Sequence, residues 1–247
     1  MADEFSGRVV VITGAASGIG ATTAQHFAER GARVVGVDVA SGVADAMARL
    51  PGGPHHGIVA DLTEPARAAA VVEEAVAVAG TVSVLVNSAG IVLLDPATEL
   101  SAAHWRATID VNLSGSFFMA QAAGRVMLQS GWGRIINLAS QAAVVGLDQH
   151  VAYAASKAGL LGMSRVLSLE WARHGVTVNC VSPTVVETPL GRQAWAGEKG
   201  EAAKRAIPVG RFAQPEEIAA LIAYLSSDAA AMITGENVVI DGGYTTV

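Results

Sequence analysis

Seven short runs rich in β-branched and apolar residues alternate along the chain with longer, alanine-rich segments of helical period: Val9 to Ile12, Arg33 to Val37, Gly57 to Ala60, Val82 to Val86, Arg134 to Leu138, Val176 to Val181 and Asn237 to Ile240. Most are continuously apolar rather than alternating. A strand of that kind needs cover on both faces, which suits parallel strands joined by helical crossovers. The pattern predicts an α/β fold, a doubly wound parallel sheet of about seven strands with helices on both faces and ligands at the carboxyl ends of its strands. A chain of 247 residues, 51% hydrophobic, can bury one large core, so a single domain is expected over 1–247. Pro65 and Pro215, each ahead of a helix-forming segment, read as first-turn prolines. Only 187–208 lacks strand or core-helix character. Its Gly191, Gly197 and Gly200 among charges suggest a surface excursion that could serve as a substrate lid.

Charge and cysteine usage exclude several classes of function. A net charge of -6 with no Lys/Arg run argues against nucleic acid or an anionic membrane as partner. The longest uncharged stretches, 9–28 and 75–94, are interrupted by Thr, Ser, Asn or Gln and do not read as bilayer spans. The N-terminus carries two acids where a signal peptide would be basic. The single cysteine, Cys180, rules out an intrachain disulfide and a thiolate metal cluster, and it reads as a small buried residue. The expectation is a cytoplasmic protein without a bound metal.

Two local motifs carry chemistry. The first run ends in Thr13-Gly-x-x-x-Gly-x-Gly20, where glycines let backbone approach a phosphate and a helix N-terminus offers free N–H groups. Eighteen residues past Gly20, the second run closes on Asp38, a carboxylate able to accept both hydroxyls of an adenosine ribose and to repel a 2′-phosphate. The second motif is Tyr153-x-x-x-Lys157, thirteen residues after Ser140. On a helix, i and i+4 share a face, so an ammonium would lie under a phenol. Bringing a tyrosine from ~10 to about 7 takes roughly 4 kcal/mol, which a lysine and a cationic nicotinamide could supply.

With these residues assembled, the chain resembles the short-chain dehydrogenase/reductase family over essentially its whole length. The motifs occur in family order: the glycine turn, Asp61-Leu-Thr, Asn87-Ser-Ala-Gly90, Asn112, Ser140, Tyr153-x-x-x-Lys157 and Pro183 onward. The resemblance implies a Rossmann-like fold binding NAD. Gly14, Ser17, Gly18, Ile19 and Gly20 would meet the pyrophosphate, Asp61 and Leu62 the adenine, and Asn87, Ala89 and Gly90 the riboses. Pro183, Val186 and Thr188 would approach the nicotinamide carboxamide, Lys157 its ribose, and Tyr153 would also contact the cofactor. Two departures stand out: Asn-Ser-Ala-Gly replaces the usual Asn-Asn-Ala-Gly, and Pro183-Thr184 replaces Pro-Gly. The resemblance makes Tyr153 the general base, Lys157 the group that lowers its pKa, Ser140 the partner of the reacting oxygen and Asn112 the anchor of a proton-relaying water. An asparagine there could equally satisfy backbone groups in a bent helix.

Gln141, His150 and Trp195 look like the set that faces substrate in the branch containing L-xylulose (dicarbonyl) reductase and bacterial tetritol and pentitol dehydrogenases. Together with Ser140 and Tyr153 they would bind a short polyol or its ketose. Each has a plainer explanation: His150 as a helix cap, Gln141 as a loop residue, Trp195 as lid packing. A 3-oxoacyl-thioester reductase shares the tetrad but leaves Asp38, Gln141 and His150 unexplained. A nucleotide-sensing binding protein or a methyltransferase would not need Asn112, Ser140, Tyr153 and Lys157 together. The apolar stretch Ala158 to Trp171 and the ending Val-Val-Ile-Asp-Gly-Gly-Tyr-Thr-Thr-Val are expected to pack on symmetry mates in a homotetramer.

Overall fold

A computed structural model describes residues 3–246, the side chain of Leu190 excepted; Met1, Ala2 and Val247, which belong to the expected 1–247 domain and its C-terminal contact, lie outside the described residues. The strands are β1 (Val9–Thr13), β2 (Arg33–Asp38), β3 (His56–Val59), β4 (Val84–Asn87), β5 (Gly133–Leu138), β6 (Val176–Pro183) and β7 (Asn237–Ile240). They form one seven-stranded sheet in the order β3-β2-β1-β4-β5-β6-β7, and every pairing is parallel. The expected runs are all present. Their ends move by one or two residues, because strand ends are set by pairing partners and not by local composition.

Burial on both faces explains the apolar runs. One face is covered by α1 (Gly18–Ala28), α2 (Val43–Ala48) and α9 (Pro215–Ser226), which bring Phe27, Met47, Ile218 and Ile222 onto Val10, Ile12, Val34 and Ile136. The other is covered by α3 (Pro65–Ala79), α5 (Gly115–Ser130) and α6 (Val151–Trp171), with Val71, Met119, Met127 and Leu167 against Val11, Val35, Leu85 and Ile135. Pro65 and Pro215 begin their helices, where the missing N–H costs nothing. Pro189 does the same for α7 (Pro189–Ala194), which with α8 (Glu198–Arg205) turns the 187–208 segment into two short surface helices rather than an irregular excursion. The helix α4 (Ala102–Ile109) runs into α5 through a π turn, Asp110–Ser114, and that insertion turns Asn112 inward, where it is fully buried.

Strand order reverses between β1 and β4. The carboxyl ends of these two strands diverge to opposite sides, leaving the crevice in which open α/β sheets hold ligands. Thr13 Oγ1 accepts from the N–H groups of both Ser88 and Ala89 at 3.0 Å, fastening the end of β1 to the turn after β4. No described helix is long and apolar enough to cross a membrane.

Candidate active site

The crevice is a cleft of about 670 Å³ along the carboxyl ends of β1, β2 and β4. Its wall includes Gly14, Ser17, Gly18, Ile19 and Gly20 from the glycine turn, together with Asp38, Asp61, Leu62, Asn87, Ala89, Gly90 and Thr188. The turn depends on glycine at two places. Gly14 has φ +69°, and a Cβ on Gly20 would stand 2.1 Å from the Gly14 carbonyl oxygen. Ser17 caps α1 without a side-chain bond, so the first-turn N–H groups, which have no intrahelical acceptor, face the cleft. Asp38 is held by the N–H of Ala16 on Oδ2 and of Ala40 on Oδ1, each at 3.0 Å. Asp61 spends Oδ1 on the N–H and hydroxyl of Thr63. Asn87 donates from Nδ2 to Asn137 Oδ1 and the Ser116 carbonyl, while its buried Oδ1 has no partner among the described residues. An anion-accepting turn, a fixed carboxylate and an orphaned buried acceptor fit the phosphates and ribose hydroxyls of a dinucleotide.

Several lining residues escape the sequence reading. Thr13, Ile91, Val111 and Gln193 also border the cleft. Thr13 opens the glycine motif and Val111 precedes Asn112, so both carried a local signal. Gln193 carried none, because it arrives through the fold of α7. Val186 buries its side chain in the core and pairs its backbone with Ala213. It and Pro183 lie outside the cleft wall, whereas the Thr188 methyl carbon would meet a Cβ on Gly18 at 3.4 Å.

The reacting residues gather at one end of this cleft, on the ends of β5 and α6. Lys157 is buried and its Nζ donates to the Leu138 carbonyl at 2.6 Å. A Cβ on Gly90 would lie 3.5 Å from that Nζ and 3.2 Å from Asn112 Oδ1, so all three groups meet at the cleft wall. Asn112 accepts from the Ile91 N–H at 2.8 Å and donates to the Ile91 carbonyl and to Ser156 Oγ. Its side-chain amide therefore fastens the Gly90–Ile91 backbone to α6. Ser140 Oγ accepts from the Ala142 N–H, which leaves its own proton to donate, and it stands near enough to Tyr153 to pull down the phenol's pKa without the geometry of a direct hydrogen bond.

Among the chain's own groups, burial is the largest influence on both Tyr153 and Lys157. Burial pushes the phenol up, with Ser140 pulling the other way, and pushes Lys157 down to about 8. Lys157 Nζ sits 5.6 Å from the Tyr153 ring centre, and in an apolar setting the cost of holding either charge exceeds their attraction at that distance.

Of the three substrate candidates, two stand at this end. Gln141 is buried beside Ser140, and its Oε1 has no partner among the described residues, so it is not a solvated loop residue. His150 precedes α6 without capping it. Its Nδ1 donates to the Asp148 carbonyl, leaving Nε2 as the free acceptor, and its ring meets Tyr153 edge-on at 6.0 Å. Trp195, at the end of α7, packs against Phe212 at 6.1 Å and under Lys199. Among the described residues it makes no aromatic contact with His150 or Tyr153. Cys180 is buried as expected and bonds to Ser164, with burial pushing its thiol up to about 11.

A family profile described as enoyl-(acyl carrier protein) reductase matches residues 14–245. The chain is 52% identical to D-threitol dehydrogenase of Mycolicibacterium smegmatis, over 98% of this chain and 94% of that one. The chain belongs to the short-chain dehydrogenase/reductase family. It is also 49% identical to the NAD-dependent glycerol dehydrogenase of Listeria innocua, over 98% of this chain and 95% of the relative. Its fold matches a protein described as an NAD(P)-dependent gluconate 5-dehydrogenase of Beutenbergia cavernae, solved with NADP at low occupancy, at a TM-score of 0.93, with 38% identity and 98% of each chain covered. The match to these proteins supports a short-chain alcohol dehydrogenase with a nicotinamide cofactor, on the polyol side of the family.

Proposed function

We propose that the protein oxidises one secondary hydroxyl of a short polyol, a tetritol or pentitol, to the ketose with NAD, and catalyses the reverse reduction. The observation that carries this reading is the buried Gln141 Oε1, without a partner among the described residues and next in the chain to Ser140, together with the His150 ring edge-on to Tyr153. An acyl chain would leave those groups unpaired, at roughly 1–3 kcal/mol each, which disfavours a 3-oxoacyl-thioester substrate. The names of the threitol and glycerol dehydrogenases point the same way.

A bound oxidised nicotinamide supplies the hydride acceptor. The chain's own groups divide the remaining work. Ser140 donates its proton to the reacting oxygen, Tyr153 as phenolate takes the hydroxyl proton, and Lys157, with one N–H on Leu138, keeps two for a ribose at Gly90. Asn112 keeps the Gly90–Ile91 wall in place, and an additional water-anchoring role follows the family pattern. Asp38, pinned by two backbone N–H groups, cannot swing away from a 2′-phosphate, so NAD is the favoured cofactor. The 187–208 segment, whose Thr188, Pro189 and Gln193 border the cleft, serves as the lid. In steady-state assays kcat/KM with NAD should exceed that with NADP, and tetritols or pentitols should be better substrates than simple secondary alcohols. Equal use of both cofactors would remove the Asp38 argument. Preference for acyl thioesters would remove the polyol.

The assembly we propose is a homotetramer. Val166 and Leu169 on α6 are 54% and 81% exposed in the single chain, more apolar surface than an isolated helix face needs, and Val239 on the edge strand β7 is 37% exposed. Light scattering at micromolar protein is expected to give four times the 25.1 kDa chain mass, and a stable monomer would contradict it.

A further inference from the structure

Thr184 stands where the family pattern has glycine, and its hydroxyl is buried with no partner. The residue is 7% exposed, as is Gln141, and both Thr184 Oγ1 and Gln141 Oε1 lack a hydrogen bond among the described residues. Their backbones are already committed: Thr184 N–H donates to Ile240, and the Gln141 carbonyl accepts from Val144 and Val145. A valine and a leucine would fill the same space without an orphaned oxygen, so two such atoms point to a ligand that satisfies them.

The sheet register brings their segments to the same end of the sheet: β5 and β6 pair as far as Leu138 and Val181, and Gln141 and Thr184 each follow three residues later. Asn137 on β5 pairs with Cys180 on β6, and both side chains turn to α6, where Ser164 accepts from Asn137 Nδ2 and bonds Cys180 Sγ. Ser140 is still extended, with φ -172° and ψ 157°, where the chain turns into the short helix Gln141–Ala143, and Thr184 still bonds to β7. Four strand residues rise ~13 Å, and the eleven residues of α6 from Ser164 back to Tyr153 span ~16 Å, so the pair arrives at the level of Tyr153. Neither residue borders the elongated cleft suited to the dinucleotide, and Gln141 directly follows Ser140, which lies against Tyr153.

We propose that the Thr184 hydroxyl and the Gln141 amide form one polar subsite that takes the substrate hydroxyl next to the reacting carbon, making Thr184 a specificity-determining residue. This rests on the polyol reading above. An amide and a hydroxyl each donate and accept, so together they can satisfy both the proton and the lone pairs of a neighbouring hydroxyl, and a vicinal diol is the substrate class that fits.

The test is the ratio of kcat/KM for threitol to that for 2-butanol, measured with NAD. Selectivity of the unsubstituted enzyme is measured first, and absence of a threitol preference removes the polyol reading and this subsite with it. Given that preference, Thr184→Val, which keeps the shape and removes only the hydroxyl, should lower the ratio roughly ten-fold, and Thr184→Ser should restore most of it. Gln141→Leu should lower it too, and the double variant should lose less than the product of the single losses, since both groups serve one hydroxyl. An unchanged ratio in Thr184→Val, or a loss expressed mainly as a raised KM for NAD, would overturn the proposal.

Discussion

Replacing Tyr153 by phenylalanine is expected to lower kcat for polyol oxidation by roughly a thousand-fold or more while the Kd for NADH, read by fluorescence titration, stays nearly unchanged. Phenylalanine keeps the ring that His150 meets edge-on and removes only the hydroxyl that Ser140 influences. No cleft-lining contact is lost, because Tyr153 is not part of the nucleotide wall. In the parent enzyme, oxidation should accelerate as pH rises, since only the phenolate can accept the alcohol's proton and burial holds the phenol in its neutral form. A variant retaining more than about a tenth of parental kcat would place the general base elsewhere, because positioned proton transfer contributes ~10²–10⁴.

Lys157→Met should also abolish most turnover, but it carries a second signature that Tyr153 does not. Lys157 is buried, and burial lowers its pKa from 10.5 to about 8. Below about 8 both folded and unfolded chains hold the proton, so the folded state bears the full cost of a buried charge. Between about 8 and 10.5 the unfolded chain binds more protons than the folded one, so stability rises with pH through that window. At ~1.36 kcal/mol per pKa unit the rise is roughly 3 kcal/mol. Denaturant titrations without nucleotide should show the stability of the parent gaining on that of Lys157→Met as pH goes from 8 to 10.5. The variant's loss of the donor to Leu138 is constant across this range and does not affect the slope. Parallel stability curves would mean that Lys157 is not desolvated as its burial indicates. A large increase in the KM for NAD should accompany the loss of activity, given the proximity of Nζ to the Gly90 wall.

What could be read from the sequence was whatever is set by neighbours along the chain. Continuous apolar runs became strands because a centre strand must be dry on both faces, and the order of those runs with alanine-rich segments already required parallel crossovers. The glycine turn, the carboxylate at the end of β2 and the i, i+4 spacing of Tyr153 and Lys157 are likewise local. Their chemistry follows from residue type and short-range geometry, and the structure sets them at strand ends and on one helix as expected. The tertiary structure alone decided the rest. How strongly Tyr153 and Lys157 are desolvated depended on burial, which is contributed by residues far away in sequence. Asn112 could be placed as a backbone clamp only once a π turn had aimed it at Ile91. Gln193 reached the cleft only through α7. Above all, Gln141 and Thr184 are 43 residues apart in the chain, and nothing local relates them. The β5–β6 pairing, set by how two strands meet, is what carries both segments to the same end of the sheet.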